Sequence, residues 1–579
     1  MAEFPRRAYP VRMPTDETAT ADSPSHVASR WRRFGRSPFT IMAAGSLLLW
    51  LAQPGSDYTL GLPRGSLGWL GWIALAPWVW LILAHEGLNR RGWTQVWLGG
   101  SLYWLIALHW IRLPHPLTPI GWPLLAGYLG VYPLLFVMIA RRALRNGAPL
   151  WIAAPVIWIG CEWVQAHLFT GFALGLPSLT QAPYPVVIQI SDLLGAYGVS
   201  FLLVMTATAA VFALRRECRI RRTAAVLITL SLVAASLLYG HSRLADQPAA
   251  QPGPTIAIVQ SDALATWDPD PNRSQQIMDS LLALTRRAAS EAEQKGQQVD
   301  LYLWPESMCR VPLVTLDNQL RPPADMPGGY ASAVKSYQDW LGGMTRELGA
   351  PLLLGVDRYD VRRDSGQEDA EPTIYNAAAL TDAERGVAAF YDKTHRVPFG
   401  EYIPLAKNMP ALYYLTPMPG GLGEGAGPVA MTVDTEAGPL RFAPSICYES
   451  VVPHVIRRHV HQLIDQGEAP DVLVNVTNDA WFWGASELDM HLACGVFRAV
   501  ENRRPLVIAA NTGLSAVVDG SGRLLCVSNR MSEDILITQA PLDSRDSFYT
   551  SHGDWFALGC LVVSIGLIFV RLPQAACHR

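Results

Sequence analysis

Long apolar runs recur through the first 240 residues and then give way to a different pattern. Most of these runs approach the roughly 20 residues that an α-helix needs to cross the hydrocarbon core of a bilayer. The pattern predicts seven membrane-spanning helices before residue 242 and an eighth near the C-terminus. The predicted helices are 38–53, 68–85, 93–110, 121–140, 149–165, 196–214, 223–240 and 555–572.

The region 242–550 is richer in charge and combines two periodicities. Short β-type runs alternate there with amphipathic helical ones, which predicts a layered α/β domain. Strands are expected at 255–260, 301–306, 351–356, 374–380, 387–393, 440–449, 471–479 and 505–512. Helices are expected at 272–298, 329–348, 450–466 and 486–503.

Basic residues in the connections predict the orientation. Residues 1–37 form a polar, arginine-rich tail that we expect to be disordered. Arginine clusters recur in every second connection, at 90–91, 141–145 and 215–222, while the intervening connections carry at most one arginine each. Because positive residues stay in the cytoplasm, both termini are predicted there and the α/β domain on the outer face. The predicted organisation is tail 1–37, seven-helix domain 38–241, outer domain 242–550, and last helix with a short tail 551–579.

Composition supports a membrane protein and excludes some other classes. Half of the residues are hydrophobic, only 16% are charged, and many of the 20 tryptophans lie near the ends of apolar runs. The net charge of −3 does not suggest a nucleic-acid partner. The eight cysteines form no CxxC pair, so a zinc ribbon or a thioredoxin-like motif is not expected.

Three residues able to take part in catalysis lie at the ends of predicted strands. Glu306 ends "LYLWPE", Lys393 ends "VAAFYDK" and Cys447 ends "LRFAPSIC". Sites in layered α/β domains gather at the carboxyl ends of strands. A carboxylate can accept the proton of an attacking thiol, while an ammonium group and a backbone N–H stabilise the resulting oxyanion. The three residues together therefore suggest nucleophilic attack on a carbonyl carbon.

Each of these residues also has a simpler interpretation. Cys447 could be a structural cysteine, or it could form a disulfide with Cys309, Cys494 or Cys526 in the same compartment. Glu306 could be a turn residue after Pro305, and Lys393 a solvated charge at a strand end. The residues alone leave these alternatives open.

Three sequence blocks favour the catalytic interpretation of these residues, because they resemble motifs of a known protein family. They are "WPES" (304–307), "YDKTHRVPFGEYIP" (391–404) and "SICYES" (445–450). In this order they resemble the motifs of the nitrilase superfamily. Together with the preceding helices they resemble the apolipoprotein N-acyltransferase family, the membrane-bound branch of that superfamily. The segment 481–492 departs from the shorter, glycine-rich continuation of the family, although His491 is retained.

The resemblance implies a fold and a set of roles. The fold would be a multi-helix transmembrane domain plus a nitrilase-like αββα sandwich. Cys447 would be the nucleophile, Glu306 the general base and Lys393 the residue that stabilises the oxyanion. The supporting residues of the active site would be Glu401, Tyr448, Glu449, Trp267 and Asn376. No cofactor and no metal are expected.

The resemblance also implies an activity and a location. An acyl chain would pass from a glycerophospholipid, through a thioester on Cys447, to the N-terminal amine of the diacylglyceryl-cysteine of apolipoproteins, the last step of lipoprotein maturation. The enzyme would be a monomer in the bacterial inner membrane, with a periplasmic catalytic domain and no nucleic-acid partner. The alternatives are a membrane-tethered amidase or nitrilase-type hydrolase, and a catalytically dead lipid-binding or transport scaffold.

Overall fold

An apolar helical bundle is followed by an α/β domain with two sheets. The computed structural model describes residues 37–84, 87–215, 219–246, 251–265, 270, 272–320, 328–361, 372–406, 408–409, 421–436 and 438–573. The predicted disordered tail lies outside these residues except for Ser37, whose hydroxyl accepts a hydrogen bond from the Thr40 N–H and caps the first helix.

A helix lies at the position of each apolar run before residue 242. The longer helices are α1 (Pro38–Ala52), α2 (Ala76–Ala84), α3 (Arg90–Ala107), α4 (Thr118–Leu129), α5 (Val131–Arg145), α6 (Leu150–His167), α7 (Ala196–Leu214) and α8 (Arg219–Ala245). Short helical turns connect them at Ser56–Thr59, Gly68–Leu70, Gly71–Ala74, His109–Arg112, Leu168–Thr170, Pro177–Gln181, Pro185–Ile188 and Ser191–Leu194.

Two of the predicted helices are interrupted in the structure. The run 68–85 consists of the turns before Leu75 and then α2, where Pro77 has no N–H to continue the hydrogen-bond ladder. The run 121–140 is split between α4 and α5 at Gly130. A Cβ at Gly130 would lie only 2.0 Å from the Ser101 hydroxyl, so the close approach of α3 requires glycine there.

Four helical segments within the described part are long and apolar enough to span a membrane. They are Thr118–Arg145, Leu150–Thr170, Ala196–Leu214 and Arg219–Ala245. In α8 only 22% of the apolar window is buried inside the protein, and Leu227, Leu230 and Leu238 are exposed. Such a surface is unfavourable in water but suits a lipid environment.

The α/β domain consists of two stacked sheets. One sheet has the order β13-β1-β2-β4-β5-β6, with β3 also paired to β4, and the other has the order β12-β11-β10-β9-β8-β7. The strands of the first sheet are β1 (Thr255–Gln260), β2 (Leu301–Leu303), β3 (Cys309–Leu316), β4 (Leu352–Val361), β5 (Thr373–Asp382), β6 (Gly386–Asp392) and β13 (Asp534–Gln539). Those of the second sheet are β7 (Met431–Thr435), β8 (Gly438–Ile446), β9 (Val472–Asn478), β10 (Leu506–Asn511), β11 (Ala516–Val518) and β12 (Leu524–Val527).

Helices cover both outer faces, so the domain has four layers. The first sheet is covered by α9 (Arg273–Gln294) and α10 (Gly328–Leu348), which share an apolar cluster with it. The second sheet is covered by α11 (Pro453–Asp465) and α12 (Glu487–Asn502). A third cluster of valine, isoleucine and leucine fills the space between the sheets. The predicted αββα layering is therefore confirmed.

The hydrophobic pattern predicts the buried strands and misses the others. All eight predicted strands and all four predicted helices of this domain are present, with ends shifted by a few residues. The strands that were not predicted are β3, β7, β11, β12 and β13. Most of them are short or alternate buried and exposed positions, as β7 does, so they produce no continuous apolar run.

The helical layer formed by α11 and α12 also packs against the bundle. One apolar cluster joins bundle residues to Val455 of α11 and to Leu488 and Val496 of α12. Every residue of α12 is buried. The last helix, α13 (Trp555–Phe569), returns to the bundle and packs beside α6.

A buried ion pair also connects the two parts of the chain. Arg503, which follows α12, donates from Nε to Asp192 Oδ2 at 2.9 Å and from Nη1 to Gln189 Oε1 at 2.7 Å. Arg243 of α8 donates to the same Asp192 oxygen at 2.9 Å. Asp192 is 1% exposed and Arg503 is fully buried. The charge of Asp192 therefore balances a guanidinium group that water cannot reach.

We expect Asp192→Asn to destabilise the folded protein by about 3–5 kcal/mol, because it leaves the Arg503 charge buried without a counter-charge. The midpoint of thermal unfolding of the detergent-solubilised protein, followed by tryptophan fluorescence, measures this effect. Glu347→Gln is the control, because its ion pair with Arg286 is exposed and contributes little. Equal midpoints for the two variants would contradict the prediction.

Candidate active site

The three predicted strand-end residues come together near the carboxyl ends of strands from the two sheets. Lys393 directly follows β6 of the first sheet, and Cys447 directly follows β8 of the second sheet. Glu306 lies in a turn, since β2 ends at Leu303 rather than at residue 306 as predicted. The chain leaves the sheet at Pro305, which cannot donate a ladder hydrogen bond.

Lys393 is a buried ammonium group held by two carboxylates. Its Nζ lies 2.7 Å from Glu401 Oε1 and 3.4 Å from Glu306 Oε1, and its side chain is 1% exposed. Burial alone would lower the pKa of Lys393, but the attraction of Glu401, Glu306 and Cys447 raises this pKa well above its usual value. Lys393 is therefore a permanent positive charge, and the alternative of a solvated lysine is wrong.

Glu306 is fixed by three donors. Its Oε1 accepts hydrogen bonds from Asn376 Nδ2 at 2.6 Å and from Lys393, and its Oε2 accepts from the Asn478 N–H at 2.9 Å. Burial raises the pKa of Glu306 above its usual value, and the nearby Lys393 charge partly offsets this. A carboxylate whose proton affinity is raised in this way suits a general base.

Asn376 and Glu401 complete this group of hydrogen-bonded side chains. The Asn376 amide also donates to Glu401 Oε1 at 3.3 Å, so it connects the two carboxylates. Glu401 Oε2 accepts a hydrogen bond from the Val397 N–H at 2.8 Å, which holds the loop that supplies the second carboxylate. Trp267, another of the predicted supporting residues, lies outside the residues that the structure describes.

Cys447 begins the tight turn Cys447–Val451 and has a φ of +50°. This left-handed conformation is uncommon for a residue with a side chain. Burial and the Glu306 charge raise the pKa of the Cys447 thiol well above its usual value, whereas Lys393 lowers it. The thiol is therefore protonated at rest, and it would need a base in order to act as a nucleophile.

The disulfide alternative for Cys447 is wrong. Cys309, Cys447, Cys494 and Cys526 are all free thiols in the structure. Cys309 lies on β3 with its sulfur 3.6 Å from the Tyr337 hydroxyl, and Cys494 is buried within α12. Cys447 therefore has a free thiol beside Glu306 and Lys393.

Glu449 connects the turn that begins at Cys447 to the segment around Lys393. Its side chain is fully buried and accepts hydrogen bonds of 2.7–2.9 Å from both segments. The donors are the Tyr391 hydroxyl, the Thr394 N–H and hydroxyl, the His395 N–H and the Ile446 N–H. Because these donors flank Lys393 on one side and Cys447 on the other, Glu449 fixes the distance between the two sheets at this edge.

Tyr448 contacts the helical bundle. Its hydroxyl donates to the Gly171 carbonyl at 3.0 Å, and its ring stacks on His395 with centroids 6.0 Å apart. Gly171 follows the turn Leu168–Thr170 at the end of α6. At this turn Phe169 is 74% exposed with a φ of +52°. Tyr448 therefore attaches the turn Cys447–Val451 to the bundle.

Several further polar residues around Cys447 were not predicted as site residues. They are Asn475, Thr477, Asn478, Asp479 and His491. Four of them belong to "VNVTND", where polar side chains interrupt and end a buried strand, and this signal could have identified them. His491 lies in the middle of α12, where sequence position gives no sign of its neighbours.

Two groups of side chains in the described ranges are close enough to hold a metal ion. They are His167, His454 and Asp554, and also Asp479, Glu487 and His491. In the second group Asp479 and Glu487 outweigh the effect of burial and raise the pKa of His491 to about 9. A protonated His491 therefore places a positive charge 3.3 Å from Asp479.

Family models match both parts of the chain. The apolipoprotein N-acyltransferase N-terminal domain matches residues 32–209, and the carbon-nitrogen hydrolase domain matches residues 255–549. The predicted nitrilase-like fold class, with its multi-helix domain, is confirmed. A solved mutant of a nitrilase-superfamily amidase from Nesterenkonia is 20% identical, covers 52% of this chain and 96% of its own, and has a TM-score of 0.32.

Relatives match along most of the chain. An apolipoprotein N-acyltransferase from Rhodopirellula baltica is 30% identical over 559 residues, which cover 87% of this chain and 94% of the relative. One from Geobacter metallireducens is 31% identical and covers 90% of this chain and 94% of its own. One from Chlorobaculum tepidum is 28% identical and covers 91% and 95%. With both domains in the same order and at nearly full length, the chain belongs to the apolipoprotein N-acyltransferase family of bacterial membrane-associated enzymes.

Proposed function

We propose that this protein transfers an acyl chain from a glycerophospholipid to the N-terminal amine of a diacylglyceryl-modified apolipoprotein. The observation that supports this most directly is the buried group of Lys393, Glu306 and Glu401 beside the Cys447 thiol. It supplies a nucleophile, a base and a fixed positive charge, which are the parts that acyl transfer through a thioester requires. The family relatives support the substrate class through their names.

The first half-reaction loads the enzyme. The Cys447 sulfur attacks the ester carbonyl carbon of the phospholipid while Glu306 accepts the thiol proton. Lys393 stabilises the negative charge that forms on the carbonyl oxygen. The tetrahedral intermediate collapses, the carbon–oxygen bond breaks, and Glu306 returns the proton to the departing alcohol. The products are a thioester on Cys447 and a lysophospholipid.

The second half-reaction unloads the enzyme. The free α-amino group of the lipoprotein's N-terminal cysteine attacks the thioester carbonyl, and Glu306 accepts a proton from the nitrogen. The carbon–sulfur bond then breaks, the sulfur regains a proton, and an amide is released. An amide is far more stable than a thioester, so this step makes the overall transfer favourable.

The placement of the site supports a lipid substrate. Tyr448, next to the nucleophile, bonds to Gly171 at the end of an apolar helix. Exposed apolar side chains lie in the loop that supplies Glu401 and at the neighbouring end of α6. They are Phe399, Leu405 and Phe169, all at least 70% exposed. A surface of this kind favours contact with the bilayer and limits the access of water to a thioester.

The same proposal includes the domain organisation and the location. Residues 1–37 would be a cytoplasmic tail, 38–241 a seven-helix membrane domain, 242–550 the periplasmic catalytic domain, and 551–579 an eighth helix with a cytoplasmic end. The arginine-rich connections at 90–91, 141–145 and 215–222 support this orientation in the inner membrane. A monomer would suffice, because one chain supplies all of the proposed catalytic groups.

Trapping of the acyl group tests the function. With an acyl-labelled phospholipid, the intact protein should carry label on Cys447 as a thioester, and Cys447→Ser should lack this thioester. Glu306→Ala and Lys393→Ala should reduce labelling at least about 100-fold, because each removes a group needed in the transition state. Mass spectrometry of the Cys447 peptide, before and after hydroxylamine treatment, measures the amount of thioester.

The fate of the label separates the alternatives. An acyltransferase discharges the thioester quickly only when a diacylglyceryl-cysteine peptide with a free amine is added, and the same peptide with an acetylated N-terminus is the control. Rapid discharge to water would indicate a hydrolase instead. A protein that never acquires label would be a lipid-binding scaffold.

Glu306→Gln should have opposite effects on two reactions of the same thiol. Without the Glu306 charge, Lys393 remains and the pKa of Cys447 falls, so alkylation of Cys447 by iodoacetamide at pH 8 should become several-fold faster. Acyl transfer should nevertheless be lost, because the base is absent. Slower alkylation in Glu306→Gln would contradict a thiol that is protonated at rest.

Protease accessibility tests the orientation. Protease added to spheroplasts should cut within residues 242–550, while an epitope tag placed after residue 579 should remain attached to a protected fragment that contains α13. Lysis of the spheroplasts should then expose the tag. A chain that is cut in this region only after lysis would place the catalytic domain in the cytoplasm.

A further inference from the structure

A buried histidine on α12 lies behind the nucleophile turn. His491 is 5% exposed, and its Nε2 is 3.2 Å from the Cys447 carbonyl oxygen and 2.8 Å from the Ser450 hydroxyl. Its Nδ1 is 3.3 Å from Asp479 Oδ1. A carbonyl oxygen and a carboxylate oxygen can only accept hydrogen bonds. Nδ1 therefore donates to Asp479. Because the Ser450 hydroxyl gives its own proton to the Cys447 carbonyl, Nε2 also acts as a donor, towards that carbonyl and the Ser450 oxygen.

The carbonyl of Cys447 is held by several donors at once. Besides His491, the Ser450 hydroxyl donates to it at 3.1 Å and the Asn475 amide at 3.3 Å. Cys447 has a φ of +50°, a conformation that persists only where the surroundings enforce it. His491 is the donor among these three that has a carboxylate behind it, and Asp479 is itself fixed by the Thr477 hydroxyl at 2.8 Å.

The position of this carbonyl determines the direction of the next N–H. None of the described peptide bonds is cis, and in a trans peptide the C=O and the N–H point in opposite directions. Donors gathered on the Cys447 carbonyl therefore turn the Tyr448 N–H to the other side of the peptide. A donor with positive charge also polarises the peptide and strengthens its N–H as a hydrogen-bond donor.

We propose that His491, oriented by Asp479, is a positioning residue for acyl transfer: it holds the Cys447–Tyr448 peptide so that the Tyr448 N–H and Lys393 together receive the oxyanion. His491 acts through the peptide and does not touch the substrate. The inference rests on the proposed function, because it concerns the oxyanion that forms when Cys447 attacks an ester.

The rates of two reactions at the Cys447 sulfur test the positioning role of His491 in the full-length protein. Thioester formation from an acyl-labelled phospholipid in mixed micelles builds an oxyanion. Alkylation of Cys447 by iodoacetamide displaces iodide at a saturated carbon and builds none. His491→Leu should slow thioester formation about 10- to 100-fold, as expected when an oxyanion donor is misplaced. Alkylation should stay near the wild-type rate.

A second variant and a matched control complete the test. His491→Gln retains an N–H that can reach the Cys447 carbonyl, so its thioester should form several-fold faster than that of His491→Leu. Val496→Ala removes buried volume from the same helix without touching the turn, and it should leave the ratio of the two rates unchanged. If His491→Leu fails to fold, Asp479→Asn tests the positioning role instead. We expect this variant to form the thioester more slowly while alkylation of Cys447 is not slowed.

The outcomes distinguish the positioning role of His491 from the proposed acyl-transfer function. Equal loss of both rates in the His491 variants, or a normal thioester rate in His491→Leu, overturns the positioning role alone. A wild-type protein that forms no thioester on Cys447 overturns the proposed function, and the positioning role with it.

Discussion

A single buried ammonium group sets the electrostatics of the whole site. Lys393 is 1% exposed, and an unbalanced charge at such a position is strongly unfavourable. Glu401 at 2.7 Å and Glu306 at 3.4 Å balance it, so both carboxylates must lie on the same side of the lysine. One ammonium against two carboxylates leaves a net negative charge. This excess helps to keep both the Glu306 proton affinity and the thiol pKa high.

The charges around Cys447 favour a thiol that stays protonated until a substrate binds. A permanently ionised sulfur would place a third negative charge beside Glu306 in a region with little water. The structure instead favours a neutral thiol. In the proposed mechanism its proton moves to Glu306 when a carbonyl carbon arrives, and negative charge then moves onto an oxygen that Lys393 would stabilise. A protonated thiol is also less open to alkylation and oxidation while the enzyme is unloaded.

The fold places these charged groups beside the thiol by bringing strand ends of the two sheets together. Glu306, Asn376 and Lys393 come from the first sheet, while Cys447 comes from the second. Glu449 accepts hydrogen bonds from both sides and makes the junction rigid. The same turn reaches the bundle through the Tyr448 bond to Gly171, and the Arg503 pair with Asp192 fixes the sandwich on the bundle. A reactive group is thereby held near an apolar surface.

The linear sequence determined the features that depend on local order. Apolar runs of spanning length predicted the bundle, and continuous buried strands predicted the inner strands of the sandwich. The three motif blocks singled out Glu306, Lys393 and Cys447, which the fold brings together. Short or half-exposed strands such as β7 and β12 were not predicted, because a hydrophobic pattern that alternates over only four or five residues differs little from that of a loop. The break at Leu75 follows from Pro77, whereas the break at Gly130 depends on how α3 packs against it.

Only the tertiary structure decided which distant groups share a charge or a hydrogen bond. Lys393 could have been solvated and Cys447 could have been a disulfide partner until their burial and neighbours were known. His491 and Asp479 became neighbours of Cys447 through the packing of α12 against the second sheet. The reason is physical: pKa values and hydrogen bonds depend on separations of a few ångströms in space, and residues far apart in the chain reach those separations only when the layers pack together.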